Sequence, residues 1–248
     1  MRRLLVALVV LSFLAPEAPA MAVPTPEAAS FTTAPAPATA PVDVRPEIVW
    51  KKIPFGAKRK RQMAAYSKRH YGERAWELTD PQVVVEHYTA GTSFDPAWNH
   101  FAANGTHLGE EPGVCSHFLI DTDGTIYQLV NLGIRCRHAI GMNWTAIGIE
   151  HVGTSAGDIL HSGPMIRASL RLTVWLMAKY GISWGNVIGH AEILQSPYHH
   201  ELYADWRCRT HADWNRREMQ TYRRKLKRTA RRLGVPIGDG PTWLDSGC

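Results

Sequence analysis

Twelve histidines occur in 248 residues, and three of them have settings suited to chemistry. His87 ends the run VVVEH, His190 follows NVIG, and His211 lies in RCRTHADW, 21 residues after His190. A β-branched run that gives way to small residues reads as a strand end, and loops there are where a rigid scaffold presents functional groups. Three neutral imidazoles converging at such ends make a zinc site with a fourth position left for water, the catalytic arrangement. Spacing alone does not select that outcome, because an isolated strand-end histidine also serves as a hydrogen-bonded structural residue. Glu150 is the second feature, a carboxylate in the apolar run AIGIEHV with Ile147 and Ile149 beside it. Burying it unpaired is costly, so either a nearby donor satisfies it or it works as an acid/base group with a raised pKa. In a regular strand, His151 points to the opposite face. His107, His117 and His138 are read as structural, and His100 as packing.

The elements that must hold these groups alternate between strand and helix. Helices are expected over residues 60–70, over 94–103 after an Asp95-Pro96 start signal, and over 164–180, where Ile166, Leu170, Thr173, Val174 and Met177 recur on one face and Gly181 ends the pattern. SHFLIDTDGTIYQLV, residues 116–130, reads as a hairpin with Asp123-Gly124 in a tight type I′ turn. Residues 146–152 and 186–193 read as strands, the second turning at Gly189-His190. Met219, Tyr222, Leu226, Ala230 and Leu233 stripe a long basic helix that Gly234 terminates. The fold class is α/β, a central mixed β-sheet flanked by helices, because the hairpin prevents a purely parallel sheet.

VVVEHYTA, SHFLIDTDGTIYQLV, AIGIEHVG and VIGHAEI, in that order, resemble the zinc-dependent N-acetylmuramoyl-L-alanine amidases, whose fold is shared with phage amidases and animal peptidoglycan recognition proteins. The resemblance runs from about residue 80 to 215. It implies one Zn2+ and cleavage of the amide that joins muramic acid to the stem peptide. His87 in HYTA matches the first zinc histidine and His190 in GHAE the second. The third ligand of the family lies two residues after a lysine in a Lys-Thr-Asp type motif. The matching triplet here is Arg209-Thr210-His211, which makes His211 the third ligand and Arg209 the stand-in for the catalytic lysine. Glu150 matches the catalytic glutamate. Some relatives use a tyrosine just before the hairpin histidine; Ser116 occupies that place here, which puts the chain with the glutamate users. The usual Asp-Pro-Gly after the lysine is absent, and the insert QSPYHHELYADW precedes the triplet. Asp205, Cys208 and Asp213 therefore stand as alternatives for the third ligand. Two other readings remain open: a peptidoglycan-binding module that does not cut, and a secreted zinc peptidase of another bond specificity.

The N-terminus bears on destination. Arg2 and Arg3 precede an apolar run from Leu4 to Ala15, and Ala18-Pro19-Ala20 fits a small-residue cleavage site, so residues 1–20 are expected to be a signal peptide. Residues 21–47, rich in Ala, Pro and Thr, read as a linker, residues 48–234 as the amidase domain and 235–248 as a C-terminal tail. The mature chain is expected to carry no transmembrane segment and to be secreted or held at the cell wall. The formal charge of +6 falls to +4 without Arg2 and Arg3, and the excess is concentrated in AKRKRQM and in residues 215–233. Export argues against nucleic acid as the partner of these patches. Peptidoglycan is the expected substrate, and anionic wall polymers are the expected contact of the basic C-terminal helix, whose Arg216, Arg223, Arg224, Lys227, Arg228 and Arg231 are expected to lie largely in solvent. Cys115, Cys136, Cys208 and Cys248 are an even set that suits disulfides in an exported protein. Three connectivities are open; Cys115 and Cys136 bracket the hairpin and could meet, while Cys208 also stands as a zinc candidate.

Overall fold

The computed structural model describes residues 43–248; the expected signal peptide and most of the linker lie outside them. A six-stranded sheet forms the centre, in the order β1-β4-β3-β5-β2-β6. The strands are β1 (Val49–Trp50), β2 (Val83–Tyr88), β3 (Phe118–Ile120), β4 (Ile126–Gln128), β5 (Ala146–His151) and β6 (Val187–Gly189). β3, β5, β2 and β6 run parallel, and only the β3–β4 hairpin is antiparallel. The mixed sheet expected from the hairpin is present. β1, only two residues long and parallel to β4, has no hydrophobic period to announce it.

Helices cover both faces. α3 (Ala156–His161), α4 (Gly163–Tyr180) and α5 (Arg216–Arg232) pack on one side, where Val84, Ile147 and Ile149 meet Leu170, Val174, Met219, Tyr222 and Leu226 in one buried cluster. α1 (Ala57–Tyr71), α2 (Phe94–Ala103) and the connecting loops lie on the other. The expected helices are all found, α2 over the expected residues and α1 and α4 a little longer. Gly181 closes α4 in the left-handed region at φ 70°, where a side chain would be strained. The hairpin differs from expectation. A type I′ turn needs positive φ at both central residues, and of the Asp123-Gly124 pair Gly124 alone has it. The Gly124 N–H returns to the Asp121 carbonyl at 2.9 Å, so the loop is wider than two residues.

The two-residue period of the strands sorts the functional side chains. On β2, Val84 and Glu86 face α4 and α5, whereas Val83, Val85 and His87 face the opposite side. On β5, Ile147, Ile149 and His151 face α4, which leaves Ala146, Gly148 and Glu150 with His87. Register then aligns His87 with Glu150, and Glu86 with Gly189, so His190 emerges beside His87.

The basic helix has one departure from expectation. Met219, Tyr222, Leu226 and Ala230 are fully buried as the stripe predicts. Arg223, expected in solvent, is buried instead and donates to both Glu192 oxygens at 2.6 and 2.9 Å and to the Val187 carbonyl at 3.2 Å. Glu192 also accepts from the Gly189 N–H at 3.1 Å. The pair thereby pins the turn between β6 and His190, and removing either partner of such a buried pair costs about 3–5 kcal/mol. Residues of the C-terminal tail return to the domain: Trp184 N–H donates to Ile237 at 2.8 Å and Leu244 N–H to Gln195 at 2.9 Å. Disulfides join Cys115 to Cys136 and Cys208 to Cys248. The first is the pairing the hairpin suggested. The second removes Cys208 as a zinc candidate.

Candidate metal centre

His87 sits at the centre of the site, almost completely buried on β2. Its Nδ1 lies 3.1 Å from His190 Nδ1 and 3.2 Å from Asp213 Oδ2. His190 Nδ1 lies 3.1 Å from Asp213 Oδ1, closing a triangle of two imidazoles and one carboxylate. Ligands about 2.0–2.1 Å from a tetrahedral zinc ion are about 3.3 Å from one another, so the spacing and the N, N, O donor chemistry both suit that metal.

Asp213 arrives by a different route from the two histidines. Its carbonyl accepts from Ala191 N–H at 3.1 Å, and the Thr210 hydroxyl donates to the His190 carbonyl at 2.7 Å. The next residue, Trp214, is fully buried with its ring edge-on to Tyr222. A Cβ on Gly189 would collide with the Trp214 carbonyl, so the close crossing needs glycine there. Asn215 then caps α5, accepting from the N–H groups of Arg217 and Glu218 while Glu218 accepts from Asn215 N–H at 2.8 Å. A buried tryptophan on one side and a capped helix on the other turn Asp213 inward.

The structure differs here from the sequence expectation. His211 lies outside the triangle: its side chain is 69% exposed, and its Nδ1 meets Asp213 Oδ1 from outside at 2.5 Å. Burial of Trp214 turns Asp213, two positions after His211 and one of the alternatives open from the sequence, toward His87. Asp205 is exposed on a 3₁₀ turn, with Trp206 the buried member. Arg209 is also exposed. Its Nε donates to the Asp205 carbonyl at 3.2 Å, and it lines an arm of the cleft with Arg137, Thr210 and His211.

Glu150 faces the same cleft as His87, His190 and Asp213. Its Oε2 has no hydrogen-bond partner among the described residues. Burial pushes its carboxyl well above the ordinary range, and the Asp213 charge pushes the same way. Of the two readings open for this carboxylate, the structural one finds no donor among the described residues. Burial also opposes the charge on Asp213, but hydrogen bonds from His190 and His87 outweigh it and hold that carboxyl far below its usual range. Burial lowers His87, with the Asp213 hydrogen bond acting against it, and so favours the neutral imidazole that binds a metal.

Residues 77–213 match the family model described as N-acetylmuramoyl-L-alanine amidase. The chain belongs to this family. The matched span contains His87, Glu150, His190 and Asp213. A curated amidase, N-acetylmuramoyl-L-alanine amidase A of Achromobacter lyticus, is 39% identical over 121 residues, which is 46% of this chain and 66% of that protein's length. Among solved amidase structures, the endolysin LysCS from Clostridium intestinale URNW is 23% identical, covers 58% of this chain and 81% of its own, and gives a TM-score of 0.42. A mutant endolysin from Bacillus subtilis is 28% identical over 58% of this chain and 83% of its own, with a TM-score of 0.39.

Two further histidines, His151 and His138, hydrogen-bond to His87. His151 faces α4, where its Nδ1–H donates to the His87 carbonyl at 2.7 Å and its Nε2 pairs with the Ser169 hydroxyl at 2.8 Å. Burial lowers it to about 4, so it is neutral. His138 Nδ1 lies 3.0 Å from His87 Nε2, although the sequence reading made it structural. No local signal marks it, since its partner is 51 residues away. His117 is structural as expected, held between the Ile134 carbonyl and the Gly148 N–H.

Proposed function

We propose that the chain is a secreted zinc hydrolase that cleaves the amide between N-acetylmuramic acid and L-alanine in peptidoglycan. The observation that carries this reading is the triangle of His87, His190 and Asp213 with the unpartnered Glu150 carboxylate in the same cleft. His87 Nδ1, His190 Nδ1 and an Asp213 oxygen would hold the zinc ion. When bound, zinc polarises a carbonyl and makes a water acidic enough to ionise near neutral pH. Glu150 takes the proton of the attacking water and returns it to the leaving alanine nitrogen, a task suited to a carboxylate whose pKa is raised by its setting. Asp213 remains anionic and supplies the negative charge of the donor set. Arg209 contributes charge and hydrogen bonds to the developing oxyanion from the adjoining arm of the cleft, but as an arginine it donates no proton.

Export is part of the same reading and rests on the leader pattern of residues 1–20. Among the described residues, no helix is long and apolar enough to cross a membrane. The exposed Arg224, Arg228 and Arg231 of α5 would hold the enzyme on anionic wall polymers through contacts that salt screens over about 8 Å. A digest of purified wall tests the activity. Free muramic lactyl groups together with new N-terminal alanine are expected. New termini within the stem peptide would instead make the chain a peptidase, and wall binding without release would make it a binding module. Binding to whole walls should weaken with added salt while cleavage of a small soluble muramyl-peptide barely changes.

A further inference from the structure

His87 is held at both ends of its ring, and the far end carries information about the near one. The near nitrogen, Nδ1, faces His190 and Asp213. The far nitrogen, Nε2, lies 3.0 Å from His138 Nδ1, and His138 Nε2 lies 3.3 Å from the Ala146 carbonyl oxygen. That oxygen can only accept. The proton between them therefore belongs to His138 Nε2, and in a neutral ring His138 Nδ1 is left as an acceptor. Once a metal takes Nδ1 in place of the proton that faces Asp213, the one ring proton of neutral His87 sits on Nε2 and donates to His138, and the Nδ1 lone pair is directed at the metal position between His190 and Asp213. One backbone carbonyl thus sets two tautomers in series.

The support for His138 is itself built in. Asn143 Oδ1 accepts from the backbone N–H groups of His138 and Ala139, both at 2.8 Å, and the Asn143 amide donates to the Tyr71 hydroxyl at 2.9 Å. The His138 ring lies over β5 at Gly148, where a Cβ would come within 2.8 Å of it. This gives a use for a glycine in the middle of an otherwise apolar strand.

We infer that His138 is a positioning residue for the metal: it fixes His87 in the tautomer that ligates through Nδ1 and, as a nitrogen acceptor, increases that ligand's basicity. The inference rests on the zinc reading above. Groups that orient metal-bound histidines usually accept through a carbonyl or carboxylate, and their loss costs about 10–100-fold in metal affinity. Here the acceptor is a second imidazole, itself oriented by Ala146.

The tautomers can be read in the zinc-loaded chain from imidazole ¹⁵N shifts. His138 should carry its proton on Nε2 and His87 its proton on Nε2; a proton on His138 Nδ1 would overturn the inference. Zinc affinity by chelator competition supplies the second readout. His138→Leu keeps bulk without an acceptor and should weaken zinc by about 10–100-fold. His138→Asn places an amide oxygen near the Nδ1 position and should recover most of that loss. A leucine variant that binds zinc as the parent does, or an asparagine variant no better than leucine, sinks the proposal. Should the leucine variant fail to fold, the shifts of the unaltered chain decide alone. A parent chain that binds no zinc would remove the zinc reading itself, an outcome distinct from parent-like binding by the variants.

Discussion

The two sides of the candidate metal centre are built on different principles. His87, Glu150 and His190 stand at the ends of adjacent parallel strands, where a two-residue period and hydrogen-bonded register place all three on one face. Asp213 belongs to an irregular segment after Trp206 that is held by side chains and crosslinks: Trp214 buried over Gly189, the Asn215 cap of α5, and the Cys208–Cys248 disulfide. Register is cooperative, since one slipped residue would reverse every side chain of a strand. Individual anchors are separable, and each should yield to its own substitution. The strand side should therefore behave as one unit and the loop side as several.

The largest effects should come from the ligands themselves. His87→Ala and Asp213→Ala should each abolish stoichiometric zinc and reduce wall cleavage to background, with the fold retained by circular dichroism. His211→Ala should keep one zinc per chain. Loss of metal in His211→Ala with retention in Asp213→Ala, measured by elemental analysis after dialysis, would break the comparison at its centre.

Glu150 comes next. Glu150→Gln keeps the shape of the side chain and removes its basicity, so kcat should fall by about 10²–10⁴-fold while zinc content stays at the parent level. A fall under about threefold would return Glu150 to a structural role.

The two disulfides sharpen the contrast. They join residues 21 and 40 positions apart, and loop entropy makes each worth about 3–4 kcal/mol on a chain model. Cys115 and Cys136 lie in the buried cluster with Phe101 and Leu119, so replacing both with serine should lower Tm and have the smaller effect on zinc affinity. Replacing Cys208 and Cys248 should weaken zinc, because the segment carrying Asp213 loses a tether. Equal zinc affinities for the two double variants would mean that Trp214 and the Asn215 cap suffice. The smallest effect is expected at Arg209. It is exposed and outside the donor triangle, so Arg209→Gln should change kcat by less than about tenfold, well short of the Glu150 effect.

Legibility in the sequence follows the same division. The helices and strands that frame His87, Glu150 and His190 were readable because amphipathic period, start signals and glycine stops act over a few neighbouring residues. Glu150 was conspicuous because a carboxylate in an apolar strand needs an explanation. Arg223 was misread as solvent-exposed, because its position in a run of cations gives no sign of Glu192, 31 residues earlier. His138 was read as structural for a similar reason.

The sequence by itself determined the α/β class, the order of the elements, the positions of His87 and His190 at strand ends and the family the chain resembles, because local pattern suffices for each. Only the tertiary structure decided that Asp213 rather than His211 completes the triangle, that Cys208 is consumed in a disulfide, and that His138 stands behind His87. Those outcomes depend on which of several neighbouring polar side chains is turned inward. That choice is made by burial of Trp214, by strand register and by contacts across tens of residues, none of which leaves a mark on the local sequence.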